Sequence, residues 1–87
     1  MTHTPEGISE AIRDYILAEF LPGEDPSALQ ESVRLISDGI LDSIAAVKLV
    51  VYLENRFNIK IEQNEVNVNN LDTIDSTMRL VVSKLNE

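Results

Sequence analysis

The chain has 87 residues, 44% of them hydrophobic, and its 15 acidic and 7 basic side chains give a net charge of −8. This length allows one domain with one modest core over residues 1–87, and the negative charge argues against nucleic acid and anionic membrane surfaces as partners. No apolar run is long enough to span a bilayer, and residues 1–6 lack the basic and apolar regions of a signal peptide, so we expect a cytoplasmic protein.

The first predicted helix begins at Pro5 and ends near Phe20. Thr4 can supply the N-cap hydroxyl, and Pro5 suits the first helical position. Apolar residues then recur mostly at three- and four-residue steps, which is typical of one face of an amphipathic helix. This stripe comprises Ile8, Ile12, Tyr15, Ile16 and Phe20. Residues 1–4 are expected to be disordered, because untethered chain ends usually are.

Residues 22–42 are predicted to form a long loop. They contain Pro22, Gly23, Pro26 and Gly39 and few periodic apolar positions. Such a long loop is unusual in a small domain unless it has a function. We expect its apolar residues to anchor it on the core. These anchors are Leu29, Val33, Leu35, Ile36 and Leu41.

The second predicted helix runs from Ser43 to Phe57 and has two apolar stripes. At about 100° per residue, one stripe covers roughly a third of the helix circumference and is predicted to face the core. Its members are Ala46, Leu49, Val50, Leu53 and Phe57. The second stripe, Ile44, Val47 and Val51, lies where a surface helix should be polar. It either docks partner proteins or packs beneath the loop or the following short turn.

After a short connector, residues 65–68 are predicted to make one helical turn. The last helix is predicted to begin near Asp72, with Asp72 as N-cap and Asp75 as the acid of a capping box. Its core stripe comprises Ile74, Met78, Val81, Val82 and Leu85. The chain is therefore predicted to be an all-α bundle of three long helices and one short helix, with the long loop between the first two.

The tripeptide Asp42-Ser43-Ile44 places a hydroxyl where the loop becomes a helix. A serine nucleophile needs an adjacent base, but the only histidine is His3, near the chain terminus, and cysteine is absent. Ser43 is therefore interpreted as a substrate to which another enzyme attaches a group. On the tripeptide alone, helix capping by Ser43 or Asp42 is the simpler interpretation.

The wider pattern resembles the acyl carrier protein family, which includes peptidyl and aminoacyl carriers. Four segments carry the resemblance, namely residues 35–44, 48–50, 53–57 and 70–74. The resemblance implies that a separate phosphopantetheinyl transferase attaches 4′-phosphopantetheine from coenzyme A covalently to Ser43. Asp42 would then cap the helix, orient the transferase or its metal, or do both.

A carrier of this kind is not an enzyme. The resemblance implies an acyl- or amino-acid-activating enzyme and a downstream acyl-accepting enzyme as partners. We expect a monomer that binds no metal of its own. Such a carrier would hold its acyl or aminoacyl cargo as a thioester.

The second helix indicates which kind of carrier this is. Carriers of fatty acid synthesis usually have a markedly acidic second helix, whereas Ala45, Lys48 and Asn55 are predicted to lie on the exposed side here. Typical peptidyl carriers often have a glycine pair where this chain has Ile40 and Leu41. An uncharged, apolar docking face is more similar to that of carriers serving amino-acid-activating enzymes or specialised secondary metabolism. Free-standing aminoacyl carriers, including D-alanyl carriers, resemble this arrangement.

We therefore expect a free-standing carrier of a dedicated biosynthetic pathway. Its predicted docking face comprises Ile44, Val47, Lys48 and Val51. The alternatives are a housekeeping fatty-acid carrier and an unmodified helical adapter. The identity of the cargo does not follow from the sequence.

Overall fold

The computed structural model describes residues 4–25, 29–30 and 32–86. Within these ranges the chain forms four α-helices and one 3₁₀ turn and has no β-strand. The elements are α1 (Pro5–Phe20), α2 (Ser43–Phe57), the 3₁₀ turn (Gln63–Glu65), α3 (Val68–Leu71) and α4 (Ile74–Leu85). This confirms the predicted all-α bundle of three long helices and one short helix. No helix in the described part of the chain is both long and apolar enough to cross a membrane.

Local signals determine where α1 begins and ends. The Thr4 hydroxyl accepts a hydrogen bond from the Gly7 amide at 3.0 Å, and a proline occupies the start of the helix. Beyond Phe20 the chain turns at Gly23, which has a φ of 89° that other residues rarely adopt. Disorder was expected for residues 1–4. Residues 1–3, including His3, lie outside the described residues, whereas Thr4 is described and caps α1.

The core lies between α1, α2 and α4, with α3 packed on α4. The predicted core stripe of α2 is buried throughout, as are three isoleucines of α1, while Tyr15 and Phe20 are half-buried. The Tyr15 and Tyr52 rings stack with their centroids 4.1 Å apart. The Tyr15 hydroxyl donates to the Lys48 carbonyl and the Tyr52 hydroxyl to the Ala11 carbonyl, so this tyrosine pair joins α1 to α2.

The long loop is anchored as predicted. Leu29, Leu35 and Leu41 are each no more than 1% exposed, and Val33 and Ile36 are half-buried against the same core. Burying a leucine side chain stabilises a fold by about 1.5–3 kcal/mol. The described part of the loop therefore belongs to the packed domain although it contains no helix.

The single turn predicted over residues 65–68 is wrong, because two separate turns flank this segment. The 3₁₀ turn is closed by two bonds between Glu62 and Glu65. The Glu65 carboxylate accepts from the Glu62 amide at 2.8 Å, and the Glu62 carbonyl accepts from the Glu65 amide at 2.9 Å. The helix α3 then begins where the Asn67 side chain accepts from the Asn70 amide at 2.9 Å. Polar caps, rather than apolar periodicity, set the positions of both turns.

The prediction that Asp72 caps the last helix is also wrong. The helix α4 begins at Ile74, and its N-cap is Thr73. The Thr73 hydroxyl accepts from the Ser76 amide at 3.0 Å, and the Ser76 hydroxyl accepts from the Thr73 amide at 3.2 Å. The capping box thus lies one residue later than predicted and uses Ser76 in place of Asp75. Asp72 is occupied elsewhere, by hydrogen bonds from the loop.

The core side of α4 is wider than the predicted stripe. Ile74 and Val81 are buried, and the other predicted members, Met78, Val82 and Leu85, are half-buried against the core. Thr77 and Leu80 are buried as well, although the apolar pattern did not include them. Thr77 fits the core because its hydroxyl donates to the Thr73 carbonyl at 2.8 Å, which satisfies the polar atom.

An ion pair joins the end of α4 to the 3₁₀ turn. The Lys84 ammonium lies 2.6 Å from a Glu65 carboxylate oxygen, and the Lys84 side chain is only 7% exposed. The hydrogen bond from Lys84 is the main reason that the pKa of Glu65 lies below its usual value, and the Glu62 amide lowers it further. This pair fixes the turn that precedes α3 relative to the bundle.

Candidate functional site

Ser43 is the first residue of α2, and its side chain is exposed. Asp42, not Ser43, is the N-cap, since its carboxylate accepts from the Ala45 amide at 2.8 Å. The Asp42 carbonyl also accepts from the Ala46 amide, at 2.9 Å. No described residue hydrogen-bonds to the Ser43 hydroxyl, so the hydroxyl is neither a cap nor part of a described polar network. The capping interpretation therefore applies to Asp42 alone.

The electrostatic setting of Ser43 favours a negatively charged substituent. The amides of Ser43 and Ile44 lie in the first turn of α2 and have no carbonyl partner within the helix. The dipole of α2, a helix of 15 residues, adds partial positive charge at this end. A phosphate group on the Ser43 oxygen would lie beside these donors. The described residues contain no cluster of three or more His, Cys, Asp or Glu side chains that could hold a metal ion.

The segment that leads into Ser43 is a compact turn held by backbone hydrogen bonds. The Asp38 amide donates to the Arg34 carbonyl at 3.1 Å, and the Gly39 amide donates to the Ile36 carbonyl at 3.0 Å. Gly39 has a φ of 81°, which glycine adopts without strain. The turn closes where the Leu41 amide donates to the Leu35 carbonyl at 2.8 Å, directly before Asp42.

Asp72, which lies between α3 and α4, holds Ile36 and Ser37 of this turn in place. Its carboxylate accepts from the amides of Ile36 and Ser37, at 2.9 and 2.8 Å, and from the Ser37 hydroxyl at 2.7 Å. The amide and hydroxyl bonds from Ser37 lower the pKa of Asp72 below its usual value, and the Ile36 amide and the positive charge of Arg34 lower it further. Sequence reasoning missed this role because the partners are distant in the chain.

A mostly apolar groove of about 500 Å³ lies beside Ser43. Ile36 and Leu41 of the loop line one part of it, and Val68 and Leu71 of α3 line another. Asp42 and Ser43 also line the groove. A group attached to the Ser43 oxygen would therefore have an apolar surface within immediate reach.

The second apolar stripe of α2 is solvent-exposed. Ile44, Val47 and Val51 are 69%, 57% and 50% exposed, so they do not pack beneath the loop or the following turn. Val68 of α3, at 49% exposure, is a further exposed apolar side chain, and it lines the groove together with Val47. Val68 was missed because the sequence shows no stripe to which it belongs.

The polar residues of α2 agree only in part with the prediction. Lys48 and Asn55 are exposed, but Ala45 is buried at 7% exposure, which corrects its predicted position. Ala45 lies one helical turn before the fully buried Leu49 and packs in the same core. Glu54 is half-buried, and its carboxylate accepts from the Ile61 amide at 3.0 Å. The exposed face of α2 therefore combines apolar residues with Lys48 and carries little negative charge.

Comparison with known proteins identifies the family. A D-alanyl carrier protein from Lactobacillus acidophilus is 30% identical to this chain over 84 residues, which cover 97% of this chain and 98% of that protein. No family model matches the chain. The chain belongs to the acyl carrier protein family. As a carrier protein it is a substrate for other enzymes and not itself an enzyme.

Membership of this family implies a phosphopantetheine prosthetic group. It also implies a phosphopantetheinyl transferase and acyl-activating enzymes as partners. The residues around Ser43 suit such a group, because they combine an exposed hydroxyl, free helix amides and an apolar groove. The carrier therefore has a site that is chemically fit for the arm.

Proposed function

We propose that this carrier receives 4′-phosphopantetheine on the Ser43 hydroxyl and holds an aminoacyl group for transfer between enzymes. The observation that supports this most directly is the exposed Ser43 hydroxyl at the first position of α2, without a hydrogen-bond partner among the described residues. When bound, the arm supplies a thiol that holds the cargo as a thioester.

The residues of the chain bind and orient the arm. The amides of Ser43 and Ile44 stabilise the phosphodiester charge at the helix N-terminus. Asp42 fixes the start of α2 through its bond to the Ala45 amide, so the Ser43 oxygen projects from a defined helical turn. Asp42 also precedes Ser43 in the chain, and its carboxylate is proposed to orient the transferase or a metal that the transferase carries.

The proposed cargo is a small amino acid, with D-alanine as the first candidate. The relative named a D-alanyl carrier protein supports this choice, because the similarity extends over nearly the whole of both chains. The low acidity of the exposed face of α2 also favours a dedicated aminoacyl carrier over a carrier of fatty acid synthesis. The proposed partners are an amino-acid-activating enzyme and an enzyme that accepts the aminoacyl group.

The proposed docking face comprises Ile44, Val47, Lys48 and Val51. Its three apolar members would be desolvated by a partner surface, and Lys48 borders them. We propose that the carrier acts as a monomer and uses this face for one partner at a time.

Intact-protein mass spectrometry tests the attachment site. After incubation with coenzyme A and a broad-specificity phosphopantetheinyl transferase, the wild-type chain should gain the mass of one phosphopantetheine. Ser43→Ala should fold normally and gain none. Ser83→Ala, which alters an exposed serine of α4, is the matched control and should be modified like the wild type.

Two results would contradict the proposal in different ways. Modification of the Ser43→Ala variant would show that phosphopantetheine is attached to another residue. A folded wild-type chain that gains no mass would instead favour the unmodified helical adapter. If modification occurs, loading of the modified carrier by D-alanine-activating and fatty-acyl-activating enzymes distinguishes the two classes of cargo.

A further inference from the structure

Three consecutive loop residues are bonded to a single residue between α3 and α4. The Asp72 carboxylate accepts from the Ile36 amide, the Ser37 amide and the Ser37 hydroxyl at 2.7–2.9 Å. The Asp72 carbonyl also accepts from the Leu35 amide. Hydrogen bonds to an ionised carboxylate are stronger than those between neutral groups. Asp72 is therefore a strong point of attachment for the loop.

This attachment leads directly to the start of α2. The Leu35 amide donates to Asp72, and the Leu35 carbonyl accepts from Leu41 at 2.8 Å. Leu41 is followed by Asp42, which caps the helix that begins with Ser43. Two backbone hydrogen bonds and one peptide bond thus connect Asp72 to the N-cap.

Asp72 also joins the two sides of the groove beside Ser43. Ile36, on the loop side, donates its amide to the Asp72 carboxylate, and Leu71, on the α3 side, precedes Asp72 in the chain. Loss of the carboxylate would remove this bond and both bonds from Ser37, and would leave the bond from the Leu35 amide to the Asp72 carbonyl in place. The position of the loop side relative to α3 therefore depends on Asp72.

We propose that Asp72 is a positioning residue for Ser43. It holds the turn over residues 35–41 against the α3–α4 junction, so that the transferase meets the Ser43 hydroxyl in one geometry. This inference rests on the proposed attachment at Ser43.

If Asp72 served only to stabilise the fold, removal of its side chain would unfold the domain. The N-cap of α4 is Thr73, so α4 keeps its capping box. Leu35 and Leu41 are buried and continue to pack in the core. Loss of the carboxylate should consequently change the distribution of loop conformations rather than unfold the domain.

Steady-state kinetics of the transferase with the carrier as varied substrate tests the inference. The transferase binds only the loop conformation that presents Ser43 correctly. If that conformation becomes a minor one, the apparent affinity of the transferase for the carrier falls in proportion to the fraction of carrier that adopts it. Asp72→Ala should therefore raise KM by about tenfold with little change in kcat. Asp72→Asn should restore most of the loss, because its amide oxygen can still accept from Ile36 and Ser37.

The matched control is Asp75→Ala, which removes a nearby carboxylate whose described ion pair is with Arg79 on the surface. It should leave KM and kcat unchanged. Ser37→Ala removes only the hydroxyl bond to Asp72 and should raise KM by about twofold. If Asp72→Ala folds poorly, the KM of Ser37→Ala tests the same bond in a less disruptive variant.

Amide hydrogen exchange provides a readout that does not depend on modification. Exchange at Ile36, Ser37 and Leu41 should be faster in Asp72→Ala than in Asp75→Ala, while the amides of α1 remain unchanged. Equal KM and equal exchange in these two variants would overturn the role of Asp72. A wild-type carrier that is never modified would instead overturn the attachment at Ser43, and the exchange data would keep the two failures apart.

Discussion

Asp42 determines where α2 begins. Its carboxylate bonds to the Ala45 amide at 2.8 Å, and its backbone is extended rather than helical. The residue therefore ends the loop and starts the helix at the same point, leaving Ser43 exposed in the first turn. Neither Ser43 nor Ile44 caps the helix.

Replacing Asp42 separates its capping role from its charge. Asp42→Ala should lower the free energy of unfolding by about 1 kcal/mol, because the Ala45 amide loses its partner. Asp42→Asn keeps an acceptor oxygen and should unfold close to the wild-type temperature. Thermal unfolding by circular dichroism measures both, and an unchanged stability of Asp42→Ala would show that the cap contributes nothing.

The transferase rate on Asp42→Asn then distinguishes two interpretations of the carboxylate. A wild-type rate would mean that capping accounts for Asp42. A large loss of rate in a normally folded Asn variant would mean that the negative charge itself orients the transferase or its metal.

Asp42 and Asp72 differ in how far their roles could be predicted from the sequence. The partner of Asp42 is three residues away, so its capping role was among the alternatives that local sequence offered. The partners of Asp72 are 35 and 36 residues away, and no local sequence pattern predicts these contacts. The prediction of an N-cap at Asp72 was wrong because Thr73, next in the chain, makes the capping box.

Among the elements, the loop between α1 and α2 contributes most to the site. Its buried leucines attach it to the core, and its final turn leads into the helix that presents Ser43. The loop therefore has a packed interior side and an exposed side, much as a helix does. Its anchors were predictable because large apolar residues within a polar loop have few other roles.

Leu41→Ala should destabilise the domain by about 2–5 kcal/mol, the usual cost of this truncation in a core. A loss of 1 kcal/mol lowers the melting temperature of a domain of this size by about 4–8 °C. Because Leu41 also lines the groove beside Ser43, its loss should slow modification at temperatures where the variant is folded.

Leu29→Ala is the matched control for this prediction. Leu29 is equally buried, at 1% exposure, but it is not among the residues that line the groove. It should lose comparable stability and keep a modification rate close to that of the wild type. If Leu41→Ala retained both its melting temperature and its rate, Leu41 would not be an anchor.

The elements differ in how well the sequence predicted them. The existence and the core face of α2 follow from apolar periodicity, since five core residues recur over four turns. The segment between α2 and α4 has no such periodicity, and its two short turns depend on caps from Glu62, Glu65 and Asn67. Several neighbouring polar residues in this segment could each cap a short turn, so the turns were predicted at the wrong positions.

For the whole molecule, the distribution of charge matters more than the total. The net charge is −8, yet the exposed side of α2 presents Ile44, Val47 and Val51 beside Lys48. Glu54 is the one acidic residue of α2, and it is half-buried, with its carboxylate bonded to the Ile61 amide. A partner that docks on α2 thus meets an apolar surface on an otherwise acidic protein.

Val47→Asp and Val51→Asp should each impair loading of cargo by the activating enzyme, by about tenfold or more, because a partner would have to desolvate a new charge. Both side chains are at least 50% exposed, so folding should be little affected. Ser83→Asp places the same charge on the exposed side of α4 and serves as control.

The same experiment performed at low and high salt tests the nature of the contact. Apolar docking should depend weakly on ionic strength, whereas docking through exposed charges is screened. We therefore expect similar loading of the wild type at both salt concentrations. A steep fall with salt, together with normal loading of both variants, would favour charge-driven docking and the fatty-acid carrier.

The stacked pair of Tyr15 and Tyr52 gives the molecule an optical probe of its own. These are the only tyrosines in the chain, and tryptophan is absent. The near-ultraviolet dichroism and intrinsic fluorescence of the protein therefore arise chiefly at one contact, where α1 meets α2. The same two rings line a shallow depression together with Val47 and Val51. Binding of a peptide or other ligand that contains no tyrosine or tryptophan should therefore change this signal, without any attached dye.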